Sequence, residues 1–371
     1  MNIYEEVIEL TKKLISIQSP SQKEHQIANF IADWLKEKSF NVKMVEVPNC
    51  GPDVIAIHEY SKGGPSLMLE GHTDVADVRS GWTKDPFKAV IENGLLFGRG
   101  AFDMKGGLAM NMVVFNALSK MDLNGKLIFA AVSEEERYSR GSYALCKSGL
   151  LKGVDAGLCP DFEGNMQETI IGACSRVVYE IDVIGKSSHF LTPENAVNAL
   201  DEAARIISSL HRMPVKGTFT TLKVKGGNID TDIVPDKCKI WINRNLGIDE
   251  TVQSSLHEFK KFLKTINLKA DVRVKLAKRP TPWQEPYVLD TEKTPIIQCL
   301  KYVCKEHGID LKTKILETAD ENYFVTMANI DYVIFGPRGG NSHVADEYVE
   351  VESLKKLTDI YLETSKRFLA W

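Results

Sequence analysis

The sequence predicts an α/β fold in which a ferredoxin-like α+β domain is inserted into a larger domain with a central sheet. Helical and strand patterns alternate up to about residue 172, which is typical of a sheet covered by helices on both faces. Between 174 and 283 the order of patterns is β-α-β-β-α-β, the split-βαβ arrangement of a ferredoxin-like sandwich. A proline-rich crossover then returns the chain to the larger domain. We therefore expect one domain formed by 1–173 and 284–371 and a second formed by 174–283.

The composition is that of an ordinary globular protein, with 371 residues, 43% of them hydrophobic and 26% charged. The formal net charge of -4 disfavours broad nucleic-acid binding. No apolar run reaches the ~18–20 residues of a membrane span, and the acidic N-terminus does not match a signal peptide. The seven cysteines are dispersed and form no Cys-x-x-Cys pair. We therefore expect a cytoplasmic protein without nucleic-acid or membrane partners.

The first elements are predicted to be two amphipathic helices. Residues 3–15 carry apolar side chains at helical spacing, and a second apolar stripe runs from 27 to 35. Ser21 and Glu24 have the Ser-x-x-Glu spacing of a capping box, so we expect Ser21 to cap the second helix.

The later elements follow in order. In the larger domain, strands are predicted at 41–47, 53–60, 66–70 and 126–132, a helix at 105–121, and a hairpin over 88–97 around Asn93-Gly94. In the insert, strands are predicted at 176–184, 218–225, 234–242 and 270–276, and helices at 195–211 and 249–266.

The first candidate site residues, His72 and Asp74, come directly after the apolar strand 66–69. Alternate residues of a strand share a face, so both side chains can point the same way. A neutral imidazole is a common zinc ligand, and a neighbouring carboxylate can fix its tautomer. Alone, a His-x-Asp pair is most often an ordinary surface or core feature.

A glycine-dense stretch, 98–107, leads into the predicted helix at 105 and contains Asp103. Glycines before a helix suit a phosphate-binding turn, but this spacing matches neither a dinucleotide-binding fingerprint nor a P-loop. The alternative is a tight backbone that presents Asp103, whose two carboxylate oxygens can bridge two cations.

Other polar residues also follow predicted strands. The Glu-Glu-Glu run 134–136 comes directly after a strand, and three adjacent carboxylates need cations or protons to relieve their repulsion. Asp161 follows another strand, and His343 follows a glycine-rich turn. Sites in open α/β sheets form at the edge where the strands end. We therefore expect these side chains to share one site.

These motifs resemble one family of zinc-dependent hydrolases. They are GHTD (71–74), WTKDPF (82–87), GRGAFDMKGG (98–107), EEE (134–136), PD (160–161) and GPRGGNSH followed by EY (336–348). Together they resemble the aminoacylase, acetylornithine deacetylase, succinyl-diaminopimelate desuccinylase and glutamate carboxypeptidase family over nearly the whole chain. The resemblance implies a phosphorylase/hydrolase-like catalytic domain with a central mixed sheet, interrupted by a lid that mediates dimerisation.

The resemblance also implies two metal sites that share one ligand. His72, Asp103 and Asp161 correspond to the ligands of one zinc ion. Asp103, Glu136 and His343 correspond to those of the other, with Asp103 bridging. The expected cofactor is therefore two Zn²⁺ per chain, with Co²⁺ or Mn²⁺ as alternatives.

Two further roles in the catalytic domain follow from the same resemblance. Asp74 corresponds to the carboxylate that orients the first histidine ligand. The family's general base is the first acid of a Glu-Glu pair. Counting back from 141–142 favours Glu135 as the base and Glu136 as the ligand, whereas a register with Glu134 as the base is the alternative.

Two residues of the insert complete the predicted site. His189 corresponds to the histidine that reaches the partner subunit's active site and stabilises the oxyanion. Arg244 corresponds to the lid arginine that binds a substrate carboxylate. Without the resemblance, His189 reads as a structural histidine and Arg244 as a surface arginine.

The sequence therefore predicts a homodimeric di-zinc amidohydrolase that cleaves a small-molecule substrate, an N-acyl amino acid, with metal-activated water. The alternative is a metallo-dipeptidase or carboxypeptidase acting on short peptides. A catalytically inactive relative would have lost the base or a ligand, and every expected position is filled.

Overall fold

The structure is a computed structural model that describes residues 2–215, 217–316 and 322–370. These residues divide into two compact units, one of 2–172, 288–316 and 322–370 and the other of 173–215 and 217–287. Residues 1, 216, 317–321 and 371, which the predicted domains also include, lie outside the described residues. No helix in the described ranges is long and apolar enough to cross a membrane.

The described helices are α1 (Ile3–Ser16), α2 (His25–Glu37), α3 (Lys105–Leu118), α4 (Arg140–Lys147), α5 (Ala199–Ser209), α6 (Val252–Thr265), α7 (Pro295–Glu306), α8 (Asn322–Thr326) and α9 (Val351–Leu369). The described strands are β1 (Val42–Val45), β2 (Asp53–Glu59), β3 (Lys62–His72), β4 (Val90–Glu92), β5 (Leu95–Phe97), β6 (Asn124–Val132), β7 (Ala156–Cys159), β8 (Glu168–Ala173), β9 (Ser175–Ile184), β10 (Phe219–Gly226), β11 (Lys237–Leu246), β12 (Asp271–Leu276), β13 (Tyr287–Val288), β14 (Lys312–Leu316), β15 (Asp331–Ile334), β16 (Gly339–Gly340) and β17 (Tyr348–Glu350).

A mixed sheet forms the centre of the first unit, with the strand order β1-β2-β6-β3-β7-β15-β8-β13 and with β14 paired to β8. The strands β6, β3, β7 and β15 are parallel to one another, whereas β2 and β8 are antiparallel to their neighbours. The last six residues of β6 are buried, as expected for a strand covered on both faces. The carboxyl ends of the parallel strands meet at one edge, so the loops that follow them can form one site.

The second unit contains an antiparallel sheet of order β10-β11-β9-β12. Buried and less buried residues alternate along β9, because one face of the strand packs in the core that includes Ala203 on α5 and Phe259 on α6. The elements occur in the predicted order β-α-β-β-α-β. Together with the mixed sheet of the first unit, this order confirms the predicted α/β fold with a ferredoxin-like insert.

Of two local predictions in the first unit, the hairpin is confirmed and the helix cap is wrong. The hairpin around Asn93-Gly94 is confirmed, because β4 and β5 pair antiparallel on either side of it. The predicted capping box is wrong, since α2 begins at His25 without a side-chain cap. The Ser21 hydroxyl instead donates to Asp74 Oδ2 at 2.7 Å, and Glu24 accepts a hydrogen bond from the backbone of Gly51. Ser21 therefore has a distant partner in place of the helix terminus, and Glu24 binds both the distant Gly51 and the nearby N–H of Gln22.

Candidate metal centre

The first group of candidate ligands is His72, Asp103 and Asp161, whose ligand atoms lie within 4.8 Å of one another. His72 is the last residue of β3, Asp161 follows β7, and Asp103 lies in the loop before α3. His72 Nε2 is 3.1 Å from Asp103 Oδ1 and 3.8 Å from Asp161 Oδ2. All three side chains are buried, so the group is shielded from solvent.

The second group is Asp103, Glu136 and His343, whose ligand atoms also lie within 4.8 Å of one another. His343 Nε2 is 2.9 Å from Asp103 Oδ2 and 2.9 Å from Glu136 Oε2. Asp103 therefore faces the first group with Oδ1 and the second group with Oδ2. This is the arrangement that a bridging carboxylate requires.

The electrostatics of these residues fit divalent cations. Hydrogen bonds to Asp103 and Glu136 raise the pKa of His343 to about 10. Burial raises the pKa of Glu136, and Glu136 Oε1 is shielded from solvent without a hydrogen-bond partner among the described residues. Burial also opposes ionisation of Asp103, but hydrogen bonds from His343 and His72 outweigh it and lower its pKa. Carboxylates and imidazoles in such proximity need positive charge among them, and metal binding would displace the protons.

Glycines allow the close approach of the loop that carries Asp103. Gly100 has a φ of +85°, a conformation that residues with a Cβ rarely adopt. A Cβ on Gly107 would lie 2.4 Å from the carbonyl oxygen of Pro160, so glycine is needed where α3 passes the chain before Asp161. The tight backbone expected from the glycine-dense stretch is present.

Glu347, the first residue of the EY pair, fixes this loop, a role that the sequence did not predict. Its Oε1 accepts the backbone N–H groups of Phe102 and Asp103, each at 3.0 Å. Its Oε2 accepts the N–H of Gly100 at 3.0 Å and Nη1 of Arg99 at 2.6 Å. The sequence signal is its place in the EY pair of the family resemblance, four residues after His343, but that pair does not indicate which groups the carboxylate contacts.

The three glutamates after β6 have different surroundings. Glu134 is buried, accepts a hydrogen bond from Gln22 Nε2 at 3.0 Å and lies 3.1 Å from Arg140 Nε. It belongs to neither ligand group. Glu135 Oε2 is 3.9 Å from His72 Nε2, and Glu136 belongs to the second ligand group. This arrangement favours the register with Glu135 as base over the one with Glu134.

Asp74 contacts His72 mainly through its backbone. His72 Nδ1 is 2.9 Å from the carbonyl oxygen of Asp74 and 3.6 Å from its carboxylate. The carboxylate instead accepts the N–H groups of Glu135 at 2.9 Å and Glu136 at 3.3 Å. The nearer contact to the His72 ring therefore comes from the main chain, and the carboxylate of Asp74 also holds the acidic turn.

His189 and Arg244, the two predicted site residues in the second unit, differ in exposure. His189 is exposed, and its Nδ1 accepts the N–H of Leu191 at 3.2 Å. Arg244 is 0% exposed and forms an ion pair with Glu250, with a second carboxylate, that of Glu258, at 3.5 Å. The substrate contact expected of Arg244 therefore stays a prediction: in the described unit its guanidinium is buried, and β11 turns its side chain towards α6.

Comparison with known proteins agrees with the fold and the candidate centre. The chain is 27% identical over 376 residues to a succinyl-diaminopimelate desuccinylase of Methylobacterium radiotolerans, covering 95% of this chain and 94% of that protein. It is 25% identical to an N-formyl-4-amino-5-aminomethyl-2-methylpyrimidine deformylase of Halalkalibacterium halodurans, covering 96% and 93%.

Among solved structures, the YXEP protein of Bacillus subtilis, a dinuclear metal binding peptidase, has the same fold, with a TM-score of 0.75 at 17% identity and coverage of 99% and 98%. The sequence model of peptidase family M20/M25/M40 matches residues 68–367. Since this match covers most of the chain, the protein belongs to peptidase family M20/M25/M40 and is a hydrolase of amide or peptide bonds.

Proposed function

We propose that this protein is a di-zinc amidohydrolase that cleaves the amide bond of an N-acyl amino acid. The observation that carries the proposal is the sharing of Asp103 between the two ligand groups, one oxygen towards His72 and the other towards His343. The desuccinylase and the deformylase that the chain resembles are both named for removal of an acyl group from nitrogen. A dinuclear metal peptidase has the same fold.

The residues divide the work of hydrolysis between them. His72, Asp103 and Asp161 would hold one zinc ion, and Asp103, Glu136 and His343 the other. When bound, zinc supplies Lewis acidity, which polarises an amide carbonyl and lowers the pKa of water. Glu135, with its side chain 20% exposed beside His72, takes the proton of the attacking water and later gives it to the leaving amine.

His189 supplies a hydrogen bond to the oxyanion in this proposal. Because its Nδ1 accepts a backbone N–H, the proton of the neutral ring is on Nε2, which is then a donor. We infer a homodimer from the second unit, whose exposed large apolar side chains include Leu191 at 71% and Ile229 at 99% exposure. A cytoplasmic location stays a prediction from the dispersed cysteines.

One observation favours the alternative, hydrolysis of short peptides. Glu163 lies two residues after Asp161, and its Oε2 is shielded without a hydrogen-bond partner among the described residues. Burial and the charge of Asp103 raise its pKa to about 7. A carboxylate of this kind can bind the free α-amino group of a peptide, which an N-acyl substrate lacks.

A substrate comparison tests the proposal against this alternative. Zinc-loaded protein is incubated with N-acetyl amino acids, N-succinyl amino acids and dipeptides, and amine release is measured for each. We expect the acyl substrates to be cleaved at least tenfold faster, and Asp103→Ala to lose both metal equivalents. Faster cleavage of dipeptides, abolished in Glu163→Gln, would establish the peptidase instead.

A further inference from the structure

The side chain of Asp74 holds the turn that carries the proposed base and one proposed ligand. Asp74 is 0% exposed, and its carboxylate accepts the N–H groups of both Glu135 and Glu136. This turn begins with Glu134, whose φ of +57° lies in the left-handed region. The two backbone bonds therefore fix the direction in which the Glu135 and Glu136 side chains leave the main chain.

Ser21 in turn fixes the carboxylate of Asp74. Its hydroxyl donates to Asp74 Oδ2 at 2.7 Å, across 53 residues of sequence. This is the oxygen that also accepts the longer bond from Glu136. Since a hydroxyl that donates to a carboxylate restricts its rotation, Ser21 sets the plane in which Asp74 meets the two N–H groups.

The connection between α1 and α2, residues 17–24, has other hydrogen bonds, to the residues after β3 and to the first residue of α3. Ser19 Oγ donates to the carbonyl oxygen of Thr73 at 2.8 Å, and the Val75 N–H donates to the Ser19 carbonyl at 3.0 Å. The Ile17 carbonyl accepts a hydrogen bond from Lys105 Nζ at 2.7 Å. The connection therefore stays in place without the Ser21 hydroxyl, whose contribution is to Asp74 alone.

We propose that Ser21 is a positioning residue that aligns the Glu135–Glu136 turn through the carboxylate of Asp74. Ser21 therefore affects both catalysis and zinc binding, because the turn carries both the base and a ligand of the second metal group. Groups that orient ligands typically contribute 10–100-fold to metal affinity or activity. The proposal rests on the roles given above to Glu135 and Glu136.

The test compares Ser21→Ala with Ser21→Thr, which keeps the hydroxyl, and with Ser19→Ala, which removes a buried hydroxyl from the same connection. The readouts are zinc affinity by competition with a chelator, kcat and KM on the best substrate, and the midpoint of thermal unfolding. In Ser21→Ala we expect the zinc ion held by Asp103, Glu136 and His343 to lose about tenfold in affinity and kcat to fall about tenfold, with KM changed less than twofold. Ser21→Thr should restore both values, and Ser19→Ala should lower only the unfolding midpoint.

Unchanged zinc affinity and kcat in Ser21→Ala would overturn the proposal, as would an equal loss in Ser19→Ala. Failure of the proposed function has a different signature. If Glu135 is not the base, Glu135→Gln retains turnover. The effect of Ser21→Ala on zinc affinity can still be measured, because that experiment requires no substrate.

Discussion

The backbone N–H of Asp103 donates a 3.0 Å hydrogen bond to Glu347 Oε1, joining residues that are 244 positions apart. The same carboxylate forms a buried ion pair with Arg99. Asp103 thus lies in a loop whose main chain is held by an acid from the far end of the sequence. The position of the shared ligand depends on this clamp.

We expect Glu347→Gln to destabilise the protein by about 3 kcal/mol, because it leaves the buried charge of Arg99 uncompensated. The substitution also replaces one carboxylate oxygen, which accepts N–H groups, by an amide nitrogen, which can only donate. Urea unfolding of the metal-free protein measures the change, and zinc titration should show weaker binding at both sites. Glu350→Gln is the control, since Glu350 forms an exposed pair with Arg338, which is worth about 0–1 kcal/mol. Equal effects of the two substitutions would contradict the clamp.

Glu135→Gln and Glu136→Gln should have separate effects. The first removes the base, so kcat should fall about 10²–10⁴-fold while two zinc equivalents remain bound. The second removes a ligand, so one zinc equivalent should be lost or weakened. Metal analysis together with kinetics distinguishes them, and exchanged phenotypes would mean that the roles of the two residues are reversed.

His189→Ala should lower kcat about 10²–10³-fold with little loss of metal, as expected for an oxyanion donor. A mixed dimer shows which subunit it serves. When a His189→Ala chain pairs with a Glu135→Gln chain, both defects fall in one site if His189 acts on the partner, so activity returns towards half of the wild-type value. No recovery in a verified heterodimer would rule out action across the dimer.

Arg244→Ala should act on stability and leave substrate binding unchanged. The guanidinium is buried with Glu250 beside it, and breaking such a pair costs about 3–5 kcal/mol. Chemical unfolding should show this loss, whereas KM should stay constant for substrates with and without a free carboxylate. A KM that rises only for the carboxylate substrates, at unchanged stability, would support the substrate contact that the resemblance implies.

The pH dependence of stability should reflect Asp53. Burial raises its pKa well above the ordinary value, and Oδ2 has no hydrogen-bond partner among the described residues. Folding therefore favours its protonated form, and this contribution is lost as the pH rises from about 4, the unfolded pKa, through the folded pKa. We expect Asp53→Asn to gain stability relative to wild type as the pH rises, measured by urea unfolding at pH 5 and pH 7.5. A pH-independent difference would show that Asp53 is ionised throughout.

The sequence alone determined the order and kind of the main elements, because hydrophobic periodicity and turn residues act over a few positions. It also predicted that His72 and Asp161 lie at one edge of the sheet, since both are at the ends of strands and parallel strands end at one edge; their roles as ligands are implied by the family resemblance. The hairpin at Asn93-Gly94 is similarly local. These features require no knowledge of which distant residues meet.

Tertiary structure decided the features that depend on partners far apart in the chain. Ser21 has the spacing of a helix cap but donates to Asp74. Arg244 corresponds by resemblance to a substrate contact, and only the fold shows that its guanidinium is buried beside Glu250. Glu347 belongs to the EY pair of the resemblance, but only the fold shows that its carboxylate accepts the N–H of Asp103. A buried donor or acceptor must find a partner, and for these side chains only the folded arrangement of the chain supplies it.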